Sequence, residues 1–149
     1  MADLIEANRI TKRAQKDSHV VLKFASFKPS CVIAISDASF ANMQGGRSQS
    51  GHFLLIADAR VDRGETGQFS VIQWRSGRQR RVARSTFGAE TLALGDAVDG
   101  GDFLRGTLRE LLTGGDPREG LRAGLPVRWC TDSRDLYDSL HKDGRCLHC

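Results

Sequence analysis

Residues Cys31–Asn42 read CVIAISDASFAN, in which an apolar run, Val32, Ile33, Ala34 and Ile35, passes through a serine to a carboxylate, Asp37. A short, continuous apolar run suits a strand covered on both faces. The strand is predicted to span Cys31–Ser36 and to stop at Asp37. Open α/β sheets bind their ligands at the carboxyl ends of strands, so an acid at that point is placed for chemistry. It is also placed to cap a turn, and its neighbours must distinguish the two roles.

Downstream, the polar, glycine-bearing stretch Asn42–Ser50 has turn chemistry, and Gly51–Ala57, GHFLLIA, is a second strand candidate. A polar loop holding Asp58, Asp62, Gly64 and Gly67 leads to a third, Phe69–Trp74. These joins are too short for crossover helices, which predicts an antiparallel three-strand meander. From Thr86 the apolar period becomes helical, with Ala89, Ala93, Ala97, Leu104, Leu108 and Leu111 on or near one face and Glu90 expected in the first turn. Gly95, Gly100 and Gly101 each weaken a helix by about 1 kcal/mol relative to Ala, which predicts a kink or a split near Gly100.

Thr113–Pro126, rich in Gly and Pro, is predicted to be a loop. Val127–Thr131 is a fourth strand, with Val127, Trp129 and Thr131 on one face, and it too runs into a carboxylate, Asp132. Ser133 is expected to cap a short helix over Arg134–Leu140. Upstream, Leu4, Ile5, Ala7, Ile10 and Ala14 fall near helical spacing, and Val20–Phe27, ended by Pro29, reads as a linker touching the domain edge. The expected division is a helix and linker over 1–28 and an α/β domain with a mixed sheet over 29–149.

A chain of 149 residues with 40% hydrophobic content builds one core and is neither disordered nor fibrous. No run approaches the roughly 18 apolar residues of a membrane span, and the N-terminus lacks a signal-peptide stretch. An intracellular protein, cytoplasmic or nuclear, is expected. The formal charge is +4, from 22 Lys and Arg against 18 Asp and Glu. Arg75, Arg78, Arg80, Arg81 and Arg84 concentrate that charge, as a phosphate-binding face or as a solvated loop. Cys146, His148 and Cys149 form a terminal C-x-x-C group, but Cys130 and His141 lie at no recognised zinc spacing from it.

The element order suggests how distant acids meet. If the first and fourth strands are parallel neighbours, their carboxyl ends lie about 5 Å apart, and the helix crossing one face brings Glu90 between Asp37 and Asp132. Three such carboxylates repel one another unless cations sit among them. Hard divalent ions take oxygen ligands, and a pair about 4 Å apart can activate water and stabilise the leaving oxygen of a phosphodiester. Singly, each acid has an ordinary role as a strand-end cap or a helix-start acid. Together they point to metal-dependent phosphoryl chemistry.

SDASFAN around Asp37, RSQSGHFLL after it, QW followed by RVARSTFGAETLAL around Glu90, and CTDSRDLYDSL around Asp132 resemble the ribonuclease H domain of copia-type retrotransposon polyproteins. The resemblance covers roughly residues 30–140, and 3–17 are similar to the segment that joins the reverse transcriptase region to that domain. It implies a ribonuclease H-like fold and hydrolysis of the RNA strand of an RNA/DNA hybrid. It further implies two magnesium ions, with manganese an alternative, held by Asp37, Glu90 and Asp132 with Asp37 bridging, and a larger polyprotein containing reverse transcriptase. The resemblance leaves open whether Arg75, Arg78, Arg80, Arg81 and Arg84 face the hybrid. Members of that family carry a fourth acid after a fifth strand. Asp143 is the sole acid between Leu140 and Cys149, so a truncated copy lacking the last strand and helix is expected. Three outcomes are therefore set against one another: a hybrid-cleaving nuclease, a non-catalytic nucleic-acid-binding relic of that domain, and a small domain binding zinc through Cys146, His148 and Cys149.

Overall fold

A computed structural model describes residues 2–29, 31–113 and 125–142. Its elements are α1 (Ala2–Lys16), β1 (Cys31–Met43), β2 (Arg47–Ala57), α2 (Ala59–Asp62), β3 (Phe69–Arg78), α3 (Thr86–Thr113), β4 (Val127–Thr131) and α4 (Arg134–Lys142). The fold is α/β. Four strands form one mixed sheet in the order β3-β2-β1-β4, with β1 antiparallel to β2, β2 antiparallel to β3, and β1 parallel to β4. The meander and the parallel outer pair both follow the expected layout.

β1 differs from expectation in length. It does not stop at Ser36 but continues to Met43, because β2 still pairs with it after β4 has ended at the Ser36–Thr131 pair. Asp37 therefore lies inside a strand. The predicted loop over Asn42–Ser50 shrinks to a tight turn in which Met43 O accepts from Gly46 N–H. Gly45 and Gly46 adopt φ of +76° and +67° there, a left-handed conformation that costs side-chain-bearing residues more. β3 likewise runs past Trp74 to Arg78, which places Arg75 and Arg78 on a strand rather than in a solvated loop, one of the two readings of the basic run.

α3 forms a single helix of 28 residues with no break at Gly100. Packing explains its continuity. A Cβ on Gly101 would stand 3.2 Å from Val127 Cγ1 and 3.5 Å from the Ala34 Cβ, so the missing side chain lets the helix lie close to the sheet. The core at this contact comprises Val32, Ala34, Leu54, Ala97, Leu104 and Val127, with Ile56, Leu108 and Trp129 packed around it. Leu111, expected on the buried face, is exposed beyond this contact.

Local polar groups fix the ends of these elements. Ser85 caps α3, its Oγ accepting from Gly88 N–H and its carbonyl from Ala89 N–H. Glu90 thus falls in the second turn rather than the first, beyond the strongest reach of the helix dipole. At α4, Ser133 O accepts from Tyr137 N–H, and Thr131 Oγ1 accepts from Ser133 N–H. The short α2, which has no apolar period to announce it, is capped by Asp58, whose carboxylate accepts from Arg60, Val61 and Gln68 N–H groups. Arg128 on β4 donates twice to Asp62 Oδ1, at 3.0 and 2.8 Å, tying the parallel edge to that loop.

The upstream helix forms as expected, and Leu4, Ile5 and Ile10 on it are exposed. The linker touches the sheet where Ala25 N–H donates to Ser70 Oγ. Among the described residues, no helix is long and apolar enough to cross a membrane.

Candidate functional site

Parallel pairing of β1 with β4 ends at Ser36 and Thr131, so Asp37 and Asp132 are the next residues along each chain. α3 crosses the sheet face formed by Val32, Ala34 and Leu54, and its second turn brings Glu90 to the two acids where β4 ends. Ligand oxygens of Asp37, Glu90 and Asp132 all lie within 4.8 Å of one another. Asp37 and Asp132 are exposed, whereas Glu90 is only 5% exposed. The site is a carboxylate pair open to solvent, closed from below by a buried third acid.

The buried acid is the unsettled member. Glu90 Oε2 is buried with no hydrogen-bond partner, although a buried carboxylate oxygen is costly to leave unpaired. Burial raises the Glu90 pKa above its ordinary value, the Asp132 and Asp37 charges raise it further, and the Ala38 backbone N–H offsets part of that rise. A cation among the three would remove both the repulsion and the orphaned lone pairs. The donor set, three carboxylates and no sulfur or imidazole, suits hard ions such as Mg2+ or Mn2+. The residues present therefore fit a divalent metal.

Beside this cluster, Arg75, Arg78, Arg80 and Arg81 line a groove of about 400 Å³ between the end of β3 and α3. Arg84 is not on its wall. Asp96 and Asp99 of α3 lie on the opposite side, so the groove is mixed in charge rather than uniformly basic. No salt bridge among the described residues involves any of the five arginines.

Two residues that sequence reasoning passed over support this region. Gln79 is buried; its backbone N–H donates to Ser48 O at 2.9 Å and its Nε2 to Ala89 O at 2.7 Å, joining β2 to the start of α3 one residue before Glu90. His52, 6% exposed, stands opposite Ser36, the residue before Asp37. Burial lowers its pKa, Arg75 lowers it further, and Asp96 opposes them. Gln79 belongs to no motif, and His52, although it falls within the RSQSGHFLL stretch, carries no role there that sequence alone assigns.

Asp143, Cys146, His148 and Cys149 lie outside the described residues, and with them the predicted terminal loop, the search for a fourth acid and the zinc group. The three-carboxylate cluster is the metal-binding constellation found among the described residues. The chain matches no protein-family model, no curated protein and no solved structure.

Proposed function

We propose that this chain is a ribonuclease H-type nuclease domain that hydrolyses the RNA strand of an RNA/DNA hybrid with divalent metal ions. The observation that carries the reading is the convergence of Asp37, Glu90 and Asp132 with a buried, unpartnered Glu90 oxygen. The four-stranded mixed sheet, with its meander and parallel outer strand, is consistent with the first four strands of a ribonuclease H-like fold. Resemblance of the motifs around the three acids supplies the substrate class.

Asp37, Glu90 and Asp132 would hold the ions, which when bound supply a Lewis acid for the phosphate and lower the pKa of a bound water. The chain's own groups do the rest. Asp37 and Asp132, exposed on adjacent strands, leave the reacting phosphate accessible, with Glu90 buried beneath them. Arg75, Arg78, Arg80 and Arg81 offer unpaired guanidiniums for backbone phosphates away from the reacting centre.

Incubation with a labelled hybrid tests this. Magnesium-dependent cleavage leaving a 3′-hydroxyl and a 5′-phosphate is expected, and Asp37→Asn should abolish it; unchanged cleavage by that variant rejects the assignment. The free guanidiniums also favour a second reading, a non-catalytic hybrid-binding domain. Binding that weakens steeply with salt, with no turnover at any magnesium or manganese concentration, would select it.

A further inference from the structure

We infer that the sheet face turned away from α3 is a groove for single-stranded nucleic acid, with an unpaired base stacked on Trp74 and Phe53 and the strand directed toward Asp37. Strand register builds this surface in rows across β1, β2 and β3. Ile35, Phe53 and Trp74 form one row, Asp37, Gly51 and Ser76 the next, and Ser39, Gln49 and Arg78 the third. Side chains alternate along a strand, so the three rows lie on the face opposite Val32, Ala34 and Leu54, which pack on α3; Asp37, lying past the end of β4, also meets Glu90 around that edge.

The middle row has glycine at its centre and forms a floor. Its two flanking rows stand about 13 Å apart, four residues along a strand, and the space between them is about 440 Å³. One wall is apolar: Ile35, Phe53 and Trp74 are 39%, 51% and 60% exposed. The facing wall is polar, and Gln49 Nε2 on it donates to Ser76 Oγ at 2.8 Å. An aromatic face opposite hydrogen-bonding groups is what a nucleobase requires, since every base combines a π-face with a polar edge.

Charge and continuity select the occupant. Arg78 stands at the outer end of the polar wall, in register with Gln49, and no salt bridge among the described residues involves it, whereas Arg75 pairs with His52 on the α3 face. The inner end is Asp37 itself, shared with the acid cluster. A chain entering at Arg78 thus runs toward the proposed metal centre. Bases within a duplex are already stacked on their neighbours and offer no free face, so the groove takes unpaired nucleotides adjoining a hybrid rather than the hybrid. The direction of the strand rests on the proposed nuclease reading; the stacking does not.

The test is titration of the full chain with a fluorescein-labelled ten-nucleotide oligouridylate at low salt in EDTA, which separates it from metal binding and cleavage. Binding with quenching of tryptophan fluorescence is expected, and the quenching should vanish in Trp74→Phe while most of the affinity remains. Trp74→Ala should weaken binding about ten- to a hundred-fold. Absence of binding, equal affinity in Trp74→Ala, or self-association of the free chain that Trp74→Ala abolishes overturns the groove. Trp74-independent binding alongside intact hybrid cleavage sinks the groove alone, whereas Trp74-dependent binding with cleavage unaffected by Asp37→Asn sinks the metal-centre reading alone.

Discussion

The two halves of β1 have different work. From Val32 to Ser36 the strand is paired on both sides, and Cys31, Val32, Ala34 and Ser36 are buried. From Asp37 to Met43 it has β2 alone as a partner, its side chains are mostly exposed, and its register shifts between Ser39 and Met43. Ala41 there adopts φ of +53°, with its N–H satisfied by Ser48 Oγ. The first half anchors the core and the second carries the acid and the open groove. The boundary falls where β4 ends, so a short parallel edge strand divides stability from function within one element.

That division predicts opposite effects for substitutions a few residues apart. Asp37→Asn should reduce hybrid cleavage by about a thousand-fold or more, on the order of 4 kcal/mol of transition-state stabilisation, while leaving the thermal midpoint nearly unchanged. A large fall in the midpoint would show that Asp37 belongs to the structural half. Leu54→Ala, beneath α3, should cost about 3 kcal/mol in urea unfolding, the ordinary range for a buried Leu-to-Ala change. Gly101→Val tests the close helix contact and should cost about 1–3 kcal/mol by the same measurement; no loss would mean the helix can stand further from the sheet.

Two smaller effects concern titration at the boundary. His52 has a lowered folded pKa, so its contribution is present above its ordinary value of 6.5 and is lost as pH falls below it. Thermal midpoints measured across that range should decline toward acid, and His52→Gln should flatten the decline. Glu90 has a raised folded pKa, so the metal-free protein gains from it below the ordinary value of 4.5 and loses that gain as pH rises through the folded value. At neutral pH in EDTA, Glu90→Gln should therefore raise the midpoint by on the order of 2 °C. Excess magnesium should stabilise the parent chain and leave the variant behind, and equal stabilisation of both would detach Glu90 from the metal.

Much of this was legible before any coordinates. Val32–Ile35 announced a buried strand, the alanines and leucines after Thr86 a long helix, and the joins between Cys31 and Trp74 a meander. Asp37, Glu90 and Asp132 stood out because each follows or opens such an element in a fitting order. Other features left no local trace. The continuation of β1 past Asp37 depends on β2 as a partner, and continuity of α3 through Gly100 and Gly101 depends on contacts with Val127 and Ala34 from distant parts of the chain. Gln79 and His52 are ordinary polar residues in one dimension; in three, both are buried, and Gln79 ties β2 to the start of α3.

Residue order was enough to establish the kinds of element, their sequence along the chain and the identity of the three acids, because hydrophobic periodicity and turn chemistry act over a few neighbouring residues. Folding in three dimensions settled the distances: that the acids come within 4.8 Å, that Glu90 is the buried one, and that Ile35, Phe53 and Trp74 share a row on an open face. Register and burial arise from pairings between residues far apart in sequence, which no short stretch encodes alone. Asp37 shows both sides, conspicuous as a residue, yet acquiring its chemistry only from where β4 ends and α3 crosses.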